Sequence, residues 1–167
     1  IGLQEIGSLD ALSALQSSLG YRYAFSRVSR YPDPRGIRVG YLSRLPLLQA
    51  VDYDDYPTGA LRNIPDTSGR PMQDMGRGAL KVTVVLAPGL LVNVVNCHLK
   101  SKLVTYENGR RYPLDEDDRA RGMAQALLKR TTEAVALRVH LNRLLAYNDQ
   151  PLVLLGDFND ESSAVTT

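Results

Sequence analysis

The sequence predicts an α/β protein in which strands and helices share one chain of 167 residues. Helical spacing of apolar residues occurs twice, in a short stretch near the start of the chain and a long one near its end. Apolar runs of strand length lie before, between and after these two stretches. Strands on both sides of each predicted helix favour an α/β fold over an all-helical or all-strand one.

Composition and charge fit one globular domain, predicted to span residues 1–167. The net charge of +2 is too small to indicate nucleic acid binding by itself. Most of the twenty cations are arginine, which suits phosphate binding but also follows from a GC-rich genome, and both readings stay open. A single cysteine, Cys97, excludes a disulfide framework and a cysteine-based zinc site. No apolar run approaches the roughly 18 residues that span a membrane.

The first fifty residues predict a strand, a helix and three further strands. The run from Ile1 to Glu5 is interpreted as the end of a buried strand, with Glu5 at its tip. Ser8 suits a helix N-cap, and Gly20 suits the residue that ends the helix. Strands are predicted at residues 21–26, 37–43 and 45–51, with a turn at residues 31–36. The residues predicted to face the core from the helix are Leu9, Leu12, Leu15 and Leu19. Tyr41 is expected to pack in the core.

The middle of the chain predicts a long irregular segment followed by a hairpin. Residues 52–77 show no sustained period and contain several prolines and glycines, so they predict a long loop. Alternating apolar residues at 80–86, a turn at Pro88 and Gly89, and a run at 90–96 predict two paired strands.

A long helix is predicted from about Asp115 to Tyr147. Its acidic start, Asp115 to Asp118, can be read as a metal site or as a helix N-terminus, and the helix N-terminus is preferred because the dipole favours negative charge there. The predicted apolar stripe is Ala120, Ala124, Leu127, Leu128, Thr131, Val135, Leu141 and Leu145.

Polar residues follow three of the predicted strands, at the point where each strand ends. They are Glu5, His98 and the pair Asp157 and Asn159, and the last two follow an apolar run, Pro151 to Leu155, that predicts a buried strand. Asp157 and Asn159 share strand parity, so they are expected to point to one side. Strand ends that meet at one edge of a sheet are a common way to build a site from distant parts of a sequence.

Four segments together resemble the endonuclease/exonuclease/phosphatase superfamily, the deoxyribonuclease I-like group, over essentially the whole chain. In chain order they are Leu3-Gln4-Glu5, Gly76-Arg77-Gly78-Ala79-Leu80, Asn96-Cys97-His98-Leu99 and Gly156-Asp157-Phe158-Asn159. The resemblance, which is greatest to bacterial members, implies a four-layer α/β sandwich in which two packed mixed β-sheets are flanked by helices. It also implies a metal-dependent hydrolase acting on phosphoester bonds.

The resemblance also implies a role for each site residue. Glu5 would be a ligand of Mg²⁺ or Mn²⁺, hard cations that prefer oxygen ligands. Asp157 would orient or deprotonate the attacking water, and Asn159 would contact the phosphate or that water. His98 and Arg77 would hold phosphate oxygens.

The chain departs from the family pattern at both ends. Family members carry a metal-binding asparagine on a strand before the glutamate and end in a Ser-Asp-His motif, and neither occurs in these 167 residues. Together with the abrupt start at Ile1, this predicts a domain incomplete at both ends and a chain that is inactive by itself.

The leading functional prediction is a nuclease or other phosphodiesterase. Arg70 and Arg77 before His98, and Arg110 and Arg111 after it, could flank a nucleic acid or be solvated loop residues. The alternatives are a phosphatase or phosphodiesterase of a lipid or inositol headgroup, and a non-catalytic binding domain of the same fold. The substrate, the cellular compartment and the oligomeric state stay open.

Overall fold

The structure is a computed structural model and describes residues 1–20, 22–61, 63–66, 68–161 and 163. Within these residues the chain forms seven strands, two α-helices and a short 3₁₀ helix at Glu107–Gly109. In chain order the strands and α-helices are β1 (Gly2–Ile6), α1 (Leu9–Ser18), β2 (Phe25–Val28), β3 (Arg38–Ser43), β4 (Leu47–Asp55), β5 (Asp74–Ala87), β6 (Leu90–His98), α2 (Glu116–Ala146) and β7 (Leu152–Asp157).

The strands form two sheets that pack face to face. The first sheet has the order β1-β3-β2 and is antiparallel, and the second has the order β4-β5-β6-β7. In the second sheet only the pair β6 and β7 is parallel. With α1 outside the first sheet and α2 outside the second, the fold is the predicted four-layer α/β sandwich.

Three clusters of buried side chains fill the spaces between the four layers. Leu12 of α1 packs with Ile6 and Leu42 against the first sheet. The cluster between the sheets is formed by Val39, Tyr41, Leu47, Leu80 and Val82. The cluster under α2 is formed by Met75, Ala79, Val95, Cys97, Leu99, Ala136, Leu137 and Leu141. The alternation of side chains along β3, β5 and β6 supplies both faces of each sheet.

Two buried polar side chains join the sheets to each other. The Asn96 amide nitrogen donates to the carbonyls of Leu3 and Gly40, each at 2.9 Å, and its oxygen accepts from the Gln4 amide at 2.6 Å. The Tyr41 hydroxyl oxygen lies 2.8 Å from the carbonyl oxygen of Leu80, which confirms the prediction that Tyr41 packs in the core. Burial raises the pKa of Tyr41, so its hydroxyl stays a donor.

Several predicted element boundaries are confirmed by the chain geometry. Ser8 caps α1, because its hydroxyl accepts from the Ala11 N–H at 3.1 Å. Asp115 caps α2 in the same way, accepting from the Asp118 N–H at 2.7 Å. The acidic start of α2 is therefore a helix N-terminus, as the dipole prefers. The hairpin at residues 80–96 also forms, as part of the longer strands β5 and β6.

Two other boundaries were predicted wrongly. The strand expected at residues 21–26 begins instead at Phe25, where pairing with β3 starts; Tyr21 lies outside the described residues. The loop expected at residues 52–77 is shorter, because β4 runs on to Asp55 and β5 begins at Asp74. The acidic residues near the end of β4 and the glycines at the start of β5 do not show the apolar pattern of a strand. The backbones of these residues nevertheless pair.

The predicted apolar stripes are largely wrong on both helices. In α1 only Leu12 is buried, whereas Leu9, Leu15 and Leu19 are exposed. In α2, Leu141 is the one member of the predicted stripe that is buried, while Leu127, Leu128 and Leu145 are exposed. The buried side of α2 consists mainly of small and polar residues: Gly122, Ala126, Arg130, Thr132, Glu133, Ala136, Leu137 and Leu141. Hydrophobic periodicity does not detect such a face.

The final apolar strand, β7, was expected to be buried, but among the described strands it lies at the edge of its sheet. β7 pairs with β6 on one side, and Val153 and Leu154 are exposed. This position still brings the end of β7 beside the end of β6.

Candidate active site

The ends of β6 and β7 place His98 and Asp157 next to each other. The two residues are partners in the parallel register, and the Leu99 N–H donates to the Asp157 carbonyl at 2.9 Å. His98 Nε2 lies 3.7 Å from Asp157 Oδ2. The imidazole is 3% exposed and the carboxylate 50% exposed, so the pair has one buried member and one that faces solvent.

Asp157 and Asn159 form a tight turn immediately after β7. The Asn159 N–H donates to Asp157 Oδ1 at 2.9 Å, and the Asn159 amide nitrogen donates to the Leu99 carbonyl at 2.9 Å. Asn159 itself has a positive φ of 52°, which asparagine tolerates better than most residues. Asp157 Oδ1 is thereby fixed, and Oδ2 is the oxygen turned toward His98.

Gly156 allows the turn to approach β6 closely. Its φ is 143°, and a Cβ at this position would lie 2.0 Å from the Cys97 carbonyl oxygen. Only glycine fits here, so the Gly-Asp-Phe-Asn motif combines one backbone requirement with two polar side chains.

Glu5 lies at a bulge near the end of β1. The pairing register between β1 and β3 shifts between Leu3 and Ile6, and Glu5 has a φ of 59°. The residue is exposed, and its charge acts on both Arg77 and His98. The bulge therefore turns the carboxylate out of the strand while keeping it near the ends of β5 and β6.

His98 is buried, and nearby charges of both signs act on its pKa. Burial lowers its pKa and Arg77 lowers it further, while the negative charges of Asp157 and Glu5 oppose the shift. The net direction is downward from the usual value of about 6.5, so His98 is neutral at neutral pH. Nδ1 of the ring is buried and has no hydrogen-bond partner among the described residues.

Arg77 is buried beneath the ends of the strands. Its Nε donates to the His98 carbonyl at 3.2 Å and its Nη2 to the Leu99 carbonyl at 2.7 Å, while Nη1 lies 3.8 Å from Asp33 Oδ2. Gly78, the next residue, has a φ of 60°, and a Cβ added to it would lie 2.4 Å from the Tyr53 carbonyl oxygen. These contacts give Arg77 a part in holding the end of β6. Because Nε and Nη2 are used in this way, Nη1 is the atom that would make the phosphate contact predicted from the sequence.

Two buried acids near the site were missed by the sequence prediction. Glu133 of α2 accepts from the Gly76 N–H at 3.0 Å and the Lys100 N–H at 2.6 Å, and is 2% exposed. Asp33 accepts from the backbone of Arg35 and Ile37 and from the Arg35 side chain. Glu133 could not be recognised from the sequence because it lies in a polar stretch of a long helix. Asp33 lies between two prolines, so it could have been recognised as an aspartate that accepts hydrogen bonds from the backbone of its own turn.

The other arginines considered as phosphate contacts are engaged locally where the contacts are known. Arg110 donates to the Tyr112 carbonyl at 3.0 Å and to Asp118 at 2.9 Å. Arg70 donates to the Ser68 hydroxyl at 2.9 Å. These contacts favour local roles in their loops over an extended basic track.

Glu5, His98, Asp157 and Asn159 are called the strand-end group below. No three His, Cys, Asp or Glu side chains of the described part of the chain come together as a metal site. An exposed carboxylate such as Glu5 still suits Mg²⁺, which keeps several waters and often binds through one or two carboxylates. The donor set therefore fits a weakly held hard cation and does not fit a closed zinc site.

Comparison with known proteins gives one family and several similar structures. A model of the Endonuclease/Exonuclease/phosphatase family matches residues 1–167. No curated protein matches the chain in sequence. Among the described helices, none is long and apolar enough to cross a membrane.

Sphingomyelinase C from Streptomyces griseocarneus superimposes with a TM-score of 0.61 at 17% identity, over 99% of this chain and 53% of that protein. The human nocturnin catalytic domain gives 0.56 at 15%, over 99% and 52%. ANGEL2, a 2′,3′-cyclic phosphatase, gives 0.54 at 13%, over 97% and 39%. At these identities the likeness shows the fold alone. The chain spans about half the length of the first two structures.

Proposed function

Because the chain belongs to the Endonuclease/Exonuclease/phosphatase family, we propose that it forms part of a divalent-metal-dependent phosphodiesterase that acts as a nuclease. The observation that carries the proposal is the strand-end group. The ends of β6 and β7 bring an imidazole beside the Asp-Asn turn, the charge of Glu5 at the end of β1 acts on that imidazole, and Asp157 stays half exposed. A phosphoester hydrolase needs a water-activating group beside donors for the phosphoryl oxygens.

Asp157 is the residue we assign to the attacking water. Its Oδ1 is held by the Asn159 N–H, which leaves Oδ2 to accept a proton from water. Burial keeps His98 neutral, so its ring can donate one N–H to a phosphoryl oxygen without repelling the cation that Glu5 would bind. Asn159 has one amide hydrogen bonded to the Leu99 carbonyl and a second that can reach the phosphate.

Glu5 is the residue we assign to Mg²⁺ or Mn²⁺. When bound, such a cation polarises a phosphoryl oxygen and offsets the charge that develops on it. The chain's own part is to hold the Glu5 carboxylate outside the sheet at the β1 bulge.

The test is an Asp157→Asn substitution in the complete gene product, assayed with Mg²⁺ on duplex DNA, single strands, RNA and small phosphoesters. Loss of a general base costs about 10²–10⁴-fold in kcat, with the fold unchanged by circular dichroism. Asp149→Asn is the matched control, because Asp149 is exposed just before β7. Full activity of Asp157→Asn would place the chemistry elsewhere. Absence of hydrolysis by the unsubstituted protein would favour a binding domain.

A lipid or inositol headgroup substrate is the second candidate, and one observation favours it. Three large apolar side chains in the segment between β6 and α2 are strongly exposed: Leu103, Tyr112 and Leu114. Exposed apolar side chains grouped in a loop can enter a membrane surface. Sedimentation with vesicles, compared between the unsubstituted protein and Leu103→Ser/Leu114→Ser, separates the candidates. Binding that the double substitution removes would favour the lipid headgroup over nucleic acid.

A further inference from the structure

A cavity of about 350 Å³ lies beside the strand-end group, on the other side of Arg77. Arg77 forms part of its wall, and its guanidinium also donates to the His98 and Leu99 carbonyls. Lys100, the next residue along, lines the cavity as well. None of the described residues that line it belongs to the strand-end group. The cavity is therefore a neighbour of the candidate active site and shares one arginine with it.

The wall of the cavity carries four cationic side chains: Arg35, Arg77, Lys100 and Lys129. They are close enough to affect one another, since burial lowers the pKa of Lys100 and Lys129 and Arg77 lower it further, against an opposing effect of Glu133. An anion in the cavity would relieve this repulsion.

The carboxylates in the same wall already have donors. Asp33 accepts from Arg35 at 2.9 Å, and Asp66 accepts from the Ser68 N–H at 2.8 Å within its own turn. Glu133 accepts from the backbone N–H groups of Gly76 and Lys100. These hydrogen bonds hold the three carboxylates in place. Burial raises the pKa of Glu133, and the charge of Lys129 opposes that shift without a hydrogen bond between the two side chains.

Lys129 is a cation of this wall whose hydrogen-bond donors are unused. Its Nζ has no hydrogen bond or ion pair in the part of the chain that the structure describes, although the side chain is half-buried and its charge acts on Glu133. Gly76 provides the space beside it: a Cβ there would lie 3.3 Å from Glu133 Oε1 and 3.7 Å from Lys129 Nζ. The Lys100 ammonium, by contrast, already donates to the carbonyls of Ser101 and Leu103.

We propose that this cavity binds a second phosphate group of the substrate, one that is not hydrolysed. The proposal rests on the proposed function, because it places that phosphate one arginine away from the reacting one. Arginine guanidinium and lysine ammonium groups in a partly desolvated wall suit a phosphate, which can accept several charge-assisted hydrogen bonds. The volume is large enough for a phosphate with an attached sugar or ring, and too small for a duplex.

The substrate class is thus a molecule with two phosphate groups, of which a nucleotide chain and a polyphosphorylated headgroup are the two sources. Both would place one phosphate at the strand-end group and the other against Lys129.

The test is a titration of the ¹⁵N-labelled chain with inorganic phosphate at constant ionic strength, followed by amide chemical shifts. Shifts at Gly76, Ser101 and Leu103 report the cavity, whereas shifts at Gly156 and Asn159 report the strand-end group. Lys129→Gln should weaken binding at the cavity amides by at least about tenfold, the loss expected for one charge-assisted hydrogen bond, and leave the other amides unchanged. Arg138→Gln is the matched control, with the same charge loss at an exposed position of α2.

Cavity amides that do not shift, or that shift equally in Lys129→Gln, would overturn the proposal. That failure is distinct from failure of the proposed function, because the first is read at the cavity amides and the second by hydrolysis in the complete gene product.

Competition identifies the source. A dinucleotide with a terminal phosphate and an inositol bisphosphate are each titrated against inorganic phosphate in the cavity. Tighter binding of the first supports a nucleotide chain, and tighter binding of the second supports a headgroup. If neither binds more tightly than inorganic phosphate, the second-phosphate assignment is wrong.

Discussion

Replacing Asn96 by aspartate should weaken the packing of the two sheets against each other and lower the stability of the fold, although the side chain changes very little in size. Asn96 is fully buried, and its amide nitrogen donates to the carbonyls of Leu3 and Gly40. Aspartate keeps the oxygen that accepts from Gln4. Its second oxygen replaces the amide nitrogen, so the carbonyls of Leu3 and Gly40 would face an acceptor instead of an N–H donor. Each buried carbonyl left without a donor costs about 1–3 kcal/mol, so the two together cost about 2–6 kcal/mol.

That cost is a large part of the 5–15 kcal/mol that stabilises an ordinary domain. For a chain of this size it corresponds to a fall of roughly 5–20 °C in the unfolding midpoint. Circular dichroism during thermal or urea unfolding at pH 7 measures it. Asn142→Asp is the control, because Asn142 is exposed on α2 and undergoes the same chemical change without losing a buried contact.

The effect of Asn96→Asp should also depend on pH. Burial raises the pKa of an aspartate at this position above its unfolded value of about 3.9. The contribution of a group with a raised folded pKa is fully present below the unfolded pKa and is lost as the pH rises through the folded one. The deficit relative to the unsubstituted chain should therefore be smaller at pH 4 than at pH 7. A variant that matches the unsubstituted chain at pH 7, or a deficit that does not change with pH, would refute the role given to the two donors.

Three further predictions concern the site. Glu5→Gln should raise the Mg²⁺ concentration needed for half-maximal hydrolysis by the complete gene product, since a neutral amide holds the cation less well; an unchanged requirement would remove Glu5 as a ligand. Because burial lowers the pKa of His98, its stability contribution is present above about pH 6.5 and is lost as the pH falls through the folded pKa. Unfolding free energies from pH 5 to 7.5 should therefore fall more steeply toward low pH in the unsubstituted chain than in His98→Asn. Parallel curves would show that His98 does not have a lowered pKa in the folded chain. Gly156→Ala should destabilise the fold by at least about 3 kcal/mol in urea unfolding, because the new Cβ would meet the Cys97 carbonyl oxygen at 2.0 Å, and a neutral result would contradict that geometry.

The parts of the fold that could be predicted from the sequence are those where a local pattern coincides with a local contact. Ser8 and Asp115 cap their helices through bonds to residues three positions later, so the information is contained within one turn. The hairpin of β5 and β6 has apolar residues at alternate positions from Leu80 to Leu86 and a Pro-Gly turn between its strands. The strand-end group was predicted for a similar reason, since its members stand where apolar runs end, and its role in the chemistry stays a prediction.

The parts that could not be predicted depend on partners distant in the chain. Whether β7 is buried or lies at an edge depends on which strands flank it, and its apolar sequence contains no information about that. The same holds for the last residues of β4, where Asp52 and Tyr53 pair with Leu80 and Ala79 although the sequence there reads as loop. Backbone pairing does not require apolar side chains, so it leaves no trace in a hydrophobic pattern.

The wrong prediction for α2 has a physical cause that also bears on the site. Its buried face was sought among leucines, but it includes Glu133, which binds the backbone N–H groups of Gly76 and Lys100. Arg130 on the same face pairs with Asp160 at 3.2 Å, directly after the Asp-Asn turn. α2 thus fixes the backbone on either side of the strand-end group through polar contacts. An apolar helix face would cover that backbone without forming hydrogen bonds to it. A charged helix face buried against the ends of strands costs stability through desolvation, and the compensation we infer is a site whose backbone is held in place before any ligand binds.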